Sequence, residues 1–233
     1  MNDVDSVLYS VDPVIFTFHK SELSVLLVKR QIEPYKALWG LPGGRVDKDK
    51  CANLAEALKL KLKQKTGIDQ LFFEQLETYG SESMDPRGWS VTTAYLALTH
   101  EDELSFASLK NTEAMMWMSL EDVEALPKMA FWHRKIIRDA FSRLRDKSLY
   151  TDLPVNFMPE KFTYPALKSA YEKIIGVEIT RQGFARRMNS ANIFEDTGER
   201  EEGKNRPSPL YRKSQRGGAY VFPGLIKGVK NDK

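Results

Sequence analysis

The sequence predicts an α+β chain in two parts: a mixed strand-and-helix domain over residues 1–150, then a basic helix-turn-helix with a β-hairpin over 151–233. Three observations predict it. β-rich runs surround a single turn-flanked helix in the first part, the charge balance changes near residue 150, and two short N-capped helices follow one another beyond it. Lys and Arg number 20 against 22 Asp and Glu in residues 1–150, and 15 against 10 in residues 151–233, so the net charge runs from −2 to +5. A basic excess confined to one domain points to an anionic partner there, with nucleic acid as the leading candidate. The single cysteine, Cys51, excludes intramolecular disulfides and cysteine-based zinc clusters, which fits a reducing compartment. The amino terminus has neither a basic nor an apolar signal region, and no apolar run approaches membrane-spanning length, so a cytoplasmic protein without membrane contact is expected.

Val11 to Phe18 and Ser24 to Lys29 are β-rich and meet across the polar turn at His19–Glu22, which predicts an antiparallel pair. Arg30 and Trp39 bracket a loop that leads into Pro42-Gly43-Gly44, a fixed turn followed by two residues free to adopt positive φ, which lets backbone approach a ligand closely. Asn53 with Glu56 gives a capping-box pattern, Leu54, Ala57, Leu58 and Leu62 recur at helical spacing, and Gly67 suits the residue past the helix end. Strands over Phe72–Gly80 and Trp89–Thr99 flank a loop containing Asp85-Pro86-Arg87-Gly88. Arg87 offers a planar fork suited to phosphate and Asp85 can accept from hydroxyls, although an Asp-Pro turn with an arginine partner needs no ligand. Met116 to Met118 reads as a short strand, Leu120 to Leu126 as a short acidic helix, and Ala130 to Lys147 as a long helix that packs on the first domain. His133 reads as a buried, hydrogen-bonded structural histidine.

Leu41 to Ile68 resembles the Nudix box, in which a Gly-Gly turn leads to a helix carrying Arg-Glu-Leu-x-Glu-Glu-x-Gly. Laid back from Gly67-Ile68, the arginine position falls on Leu60 and the three glutamates on Lys61, Gln64 and Lys65. Lys50 stands where the loop glutamate belongs, and Cys51-Ala52 look like an insertion. Nudix hydrolysis of a pyrophosphate needs a hard divalent cation held by carboxylate oxygens, which lysine cannot supply. No catalytic residue and no metal site are therefore expected. Lys61 and Lys65, four apart on one face, form either a solvated face or a counter-charge for a bound anion. The competing possibility is a hydrolase that recruits metal through Asp47, Asp49 or Glu56, with the basic domain as an interaction module.

Tyr150 to Phe157 lacks periodicity and marks the boundary. Beyond it, Thr163 caps a helix with Leu167, Ala170, Tyr171, Ile174 and Ile175 in register, and Thr180 caps a second over Arg181–Ser190. Phe184 and Met188 would face the core, leaving Arg181, Gln182, Arg186 and Asn189 opposite and Arg187 at the edge; such side chains read base edges in the major groove. Strands Ile193–Thr197 and Leu210–Lys213 bracket a polar loop in which Arg200, Lys204, Asn205 and Arg206 can follow phosphates. This is the pattern of a winged helix.

Phe162 to Leu167, Arg181 to Arg187 and Glu195 to Arg200, following a Nudix-like domain with its Asp-Pro-Arg-Gly loop, make the whole order similar to the Nudix-related regulators of NAD metabolism, the NrtR type. That resemblance implies a Nudix-type mixed-sheet α/β/α sandwich followed by a winged helix-turn-helix domain. It further implies a homodimer that binds palindromic operator duplexes and represses NAD biosynthesis or salvage genes. Release would follow binding of ADP-ribose or a related nucleotide near Arg30, Trp39, Arg45, Tyr79, Asp85 and Arg87, with no cofactor required.

Overall fold

A computed structural model describes residues 7–68, 71–103, 114–202, 207–214 and 219–226. The chain divides into two compact units, residues 1–141 and 142–233. The division falls ahead of the expected boundary at 150, inside the long helix, so that helix's last turns group with the second unit.

In the first unit, β1 (Leu8–His19) and β2 (Glu22–Lys29) pair antiparallel. Lys20 and Ser21, both at positive φ, make the two-residue turn whose twist suits a hairpin. β3 (Trp39–Gly40) and β4 (Gly44–Arg45) flank the Pro-Gly turn, and α1 (Leu54–Thr66) follows. Next come β5 (Phe72–Ser81), β6 (Ser90–Leu98), β7 (Met115–Ser119), α2 (Leu120–Ala125) and α3 (His133–Ser148). The strands form one mixed sheet in the order β3-β2-β1-β6-β5, with β4 on β1 and β7 on β2; β1 runs parallel to β6.

Residues 11–17 of β1 are buried without a break, as a strand covered on both faces requires. On one face Ala57, Leu58 and Leu62 of α1 pack with Val11, Ile15, Leu26, Tyr95 and Ala97. The residues of opposite parity, Val14, Phe16, Leu27 and Leu96, are equally buried, on the side where the start of α3 meets Asp12. α1 is held at both ends. Asn53 Oδ1 accepts from the N–H of Glu56 at 2.9 Å, Glu56 reaches back to the N–H of Ala52, and Gly67 closes the helix at φ 74°.

The second unit contains α4 (Tyr164–Ile175) and α5 (Arg181–Ala191), N-capped by Thr163 and Thr180, and a wing of β8 (Phe194–Arg200) against β9 (Pro209–Lys213). Leu167, Tyr171, Ile174, Phe184 and Met188 fill its core, and the Tyr171 hydroxyl donates to the carbonyl of Thr151 at 2.7 Å. A bridge between Phe162 and Tyr211 ties the wing to the entry of α4. Residues 219–226 return to the start of the unit. There Asp152 N–H donates to Tyr220, Phe222 N–H to Tyr150 and Ile226 N–H to Leu149. The architecture is the mixed-sheet domain and winged helix that the sequence predicts.

Candidate functional site

The first unit holds a cavity of about 230 Å³ between β1, the Gly43-Gly44 turn, the 30–32 loop, the Asp85 loop and the start of α3. Four of the predicted ligand residues line it together: Arg30, Arg45, Asp85 and Arg87. Trp39 and Tyr79 are not among the lining residues. Trp39 pairs with Lys29, whose ammonium stands 6.0 Å over the indole. The Tyr79 hydroxyl donates to Asp139 at 2.9 Å, and Lys135 stands 5.0 Å over its ring.

Sequence reasoning missed Asp12, Met84, Thr92 and Phe131, which line the same space. For Asp12 the available signal was one carboxylate inside an apolar strand; Phe131 sits at positive φ, which no local pattern announces. Its ring lies 4.7 Å beneath the Arg30 guanidinium and meets Tyr35 edge-on. Arg30 Nε donates to the carbonyl of Pro34 at 2.9 Å, which fixes the plane of the fork.

At the floor, the carboxylate of Asp12 accepts from the Thr92 hydroxyl at 2.5 Å, and His133 Nε2 lies 3.8 Å from its other oxygen. Burial pushes the His133 imidazole below its ordinary pKa, the Asp12 charge opposes this more weakly, and Arg30 adds to the lowering. Gly43 is required here. A Cβ on it would fall 1.8 Å from Asp12 Oδ1 and 2.4 Å from the Val11 carbonyl. At the rim Arg87 holds Asp85 through both Nε and Nη2, at 2.9 and 2.6 Å. Burial raises the Asp85 carboxyl, but the hydrogen bonds and charge of Arg87 outweigh it and hold the pKa below the usual carboxylate value.

A divalent cation of the Nudix type does not fit these residues. Lys65 lines the cavity, and a Cβ on Gly44 would stand 3.5 Å from the Cδ and Cε of Lys61, so the helix face that should carry carboxylates carries ammonium groups beside the glycine turn. Of the loop carboxylates, Asp47 forms a surface pair with Lys50 at 2.8 Å and Asp49 with Lys48, and Glu56 caps Ala52 and Asn53. Among the described residues no group of three or more His, Cys, Asp or Glu is placed to hold a metal ion.

In the second unit, α5 presents Gln182, Arg186 and Asn189 as exposed side chains away from the buried Phe184 and Met188, with Arg181 exposed at its first position. The Tyr164 hydroxyl donates to Asn189 Oδ1 at 2.9 Å. Burial, with Tyr211 and Asp196 nearby, pushes Tyr164 up to about 12, so that hydroxyl stays protonated. Arg187 is placed differently from expectation. Its guanidinium donates to the carbonyls of Gly224 at 2.7 Å and Leu149 at 3.1 Å and stands 4.0 Å over Phe222, which removes it from the reading face. Arg200 is exposed at the end of β8, while Lys204, Asn205 and Arg206 lie outside the described residues. Among the described residues no helix is long and apolar enough to cross a membrane.

Two families match the chain: the NUDIX domain over residues 9–140 and the NrtR DNA-binding winged helix domain over 154–212. The sequence is 36% identical over 226 residues to the ADPR responsive transcriptional repressor NtrR of Acinetobacter baylyi, covering 97% of this chain and 90% of that protein. It is 30% identical over 131 residues to the ADP-ribose pyrophosphatase of Methanocaldococcus jannaschii, covering 56% of this chain and 70% of the relative. Shewanella oneidensis NrtR complexed with a 27mer DNA superposes at a TM-score of 0.86 and 35% identity, covering 94% of this chain and 99% of that one. The NUDIX domain of the same protein with ADP ribose superposes at 0.56 and 38% identity, covering 60% and 90%.

Proposed function

The chain belongs to the NrtR family, a Nudix domain joined to an NrtR DNA-binding winged helix domain, and on that premise we propose that it is a transcriptional repressor released from DNA by ADP-ribose. Its winged helix binds duplex DNA. The Nudix cavity serves as a sensor rather than a catalytic site. The observation that carries this reading is the exposed Arg181, Gln182, Arg186 and Asn189 face on the second helix of the helix-turn-helix, in one chain with a cavity whose helix offers lysines where hydrolysis needs carboxylates.

In detail, Arg181, Gln182, Arg186 and Asn189 read base edges, and Arg200 with the wing residues Lys204, Asn205 and Arg206 contacts phosphates. Two copies of the chain grip a palindromic operator in the cytoplasm, upstream of genes for NAD biosynthesis or salvage. ADP-ribose, or a close nucleoside diphosphate, lies along the Gly43-Gly44 turn near Arg30, Arg45, Asp85 and Arg87, where the forks of Arg30 and Arg87 suit phosphate oxygens. Trp39 and Tyr79 act from outside the cavity wall, supporting the turn and β5.

Likeness to an ADP-ribose pyrophosphatase supports a second reading, hydrolysis. Against it stand the lysines at the helix positions where hydrolysis needs carboxylates and, among the described residues, the lack of any group of three or more His, Cys, Asp or Glu placed to hold a metal ion. The test is direct. The full-length protein should select related sequences from a random duplex pool, release them as ADP-ribose is added, and liberate no AMP from ADP-ribose with Mg²⁺ or Mn²⁺. Turnover lost on replacing Asp47 or Glu56 would establish the hydrolase instead.

A further inference from the structure

We infer that the ammonium groups of Lys61 and Lys65 take the place of the divalent cation, so that the diphosphate of the effector is bound in the Nudix cavity without Mg²⁺. This rests on the sensor reading and deepens it.

A diphosphate brings two negative charges into the pocket, and binding it needs compensating positive charge in a setting where water screens poorly. A Nudix enzyme meets that need with a metal held on helix carboxylates. Here the requirement falls on the chain itself. The cavity wall carries Arg30, Arg45, Lys65 and Arg87 against two carboxylates, Asp12 and Asp85. Those carboxylates accept hydrogen bonds, Asp12 from Thr92 and Asp85 from both arms of Arg87, and among the described residues no group of three or more His, Cys, Asp or Glu is placed there to hold a metal ion.

Geometry places the lysines where a cation would act. Lys65 lines the cavity, and Lys61, one turn earlier on the same helix face, lies along Gly44 with its Nζ 4.0 Å from the position a Cβ would take. Gly44 is also part of the cavity wall. An anion drawn onto the Gly43-Gly44 backbone therefore comes within reach of an ammonium group whose flexible four-carbon stem lets it follow a phosphate oxygen. A divalent cation at the same place would meet two like charges. The substitutions that abolish metal chemistry thus supply the charge the ligand still requires.

The test is calorimetric titration of ADP-ribose into the full-length protein, in EDTA and in excess Mg²⁺. Affinities in the two buffers should agree within about threefold, far from the several decades by which a missing essential cation weakens binding. In EDTA, the Lys61→Met/Lys65→Met double variant should lose at least about tenfold in affinity, and Lys65→Arg should lose little, since charge is kept. Retained operator binding shows that the variants are folded, and the wild-type comparison stands without them. Binding seen only with Mg²⁺ overturns the inference and leaves the sensor reading intact; unchanged affinity in the double variant overturns it too. Absence of ADP-ribose binding in both buffers overturns the sensor reading itself, and the inference with it.

Discussion

His133 Nδ1 accepts the backbone N–H of Leu41 at 2.8 Å, which leaves the proton of the neutral ring on Nε2, 3.8 Å from Asp12 Oδ1. That bond pins the start of α3 to the strand end before the glycine turn. It also makes the domain sensitive to acid, because protonating Nδ1 would set one donor against another.

Burial lowers the folded pKa of His133 below its ordinary 6.5. The unfolded chain therefore binds the proton first, and the contribution is complete above about pH 6.5 and shrinks as pH falls from there toward the folded value. Thermal unfolding should show this loss as pH falls below about 6.5, and His133→Leu should abolish the histidine's share of it while costing about 1–3 kcal/mol for the orphaned Leu41 N–H. An identical pH profile in the variant would show that another group is responsible.

The two glycines of the turn should respond unequally. In Gly43→Ala the new carbon would fall 1.8 Å from Asp12 and 2.4 Å from the rigid backbone carbonyl of Val11; forcing atoms into such a site costs about 1–3 kcal/mol or more. Gly44→Ala meets only the flexible Lys61 side chain, at 3.5 Å. Urea unfolding should separate the two variants clearly. Equal stabilities would mean that the turn is not as close to β1 as it stands here.

Periodicity made the helices and hairpins legible, because caps such as Asn53, Thr163 and Thr180 and the stops Gly67 and Gly176 are local signals. The parallel pairing of β1 with β6 is non-local and has no such signal. The same divide runs through the site. Arg30, Arg45, Asp85 and Arg87 stand beside turns that mark themselves in sequence, whereas Asp12, Thr92 and Phe131 reach the cavity only through tertiary packing. Arg187 shows the limit plainly: helical spacing puts it at the edge of the reading face, and only the return of residues 219–226 turns it inward.

Neighbouring arginines on α5 should therefore separate stability from recognition. Arg187→Ala removes two charge-assisted hydrogen bonds and the stacking on Phe222, each such bond being worth about 1.5–3 kcal/mol. It should lower the unfolding midpoint of the winged helix and leave base preference unchanged. Arg186→Ala and Gln182→Ala, on exposed positions, should relax base preference with little change in stability. Arg200→Ala should weaken all sequences alike and flatten the salt dependence by about one unit. Sequence selection paired with thermal unfolding reads both effects, and a loss of base preference in Arg187→Ala alone would reverse the assignment.

ADP-ribose bound in the first domain should weaken DNA binding by the second, and the energetic demand is modest. A ligand that binds free and DNA-held conformations equally shifts nothing, however tightly it binds. A tenfold loss of operator affinity needs only about 1.4 kcal/mol of differential binding. If two copies read half-sites one helical turn apart, a small reorientation of their recognition helices suffices, because such half-sites tolerate little change in spacing. The helix α3 starts at His133 on the cavity wall and ends at Ser148 in the second unit. Thermodynamic reciprocity then requires operator DNA to weaken ADP-ribose by the same factor. Titrating the nucleotide with and without saturating operator measures that factor on both sides of the cycle. Equal nucleotide affinities would uncouple the domains and reduce the Nudix part to a scaffold that brings two winged helices together.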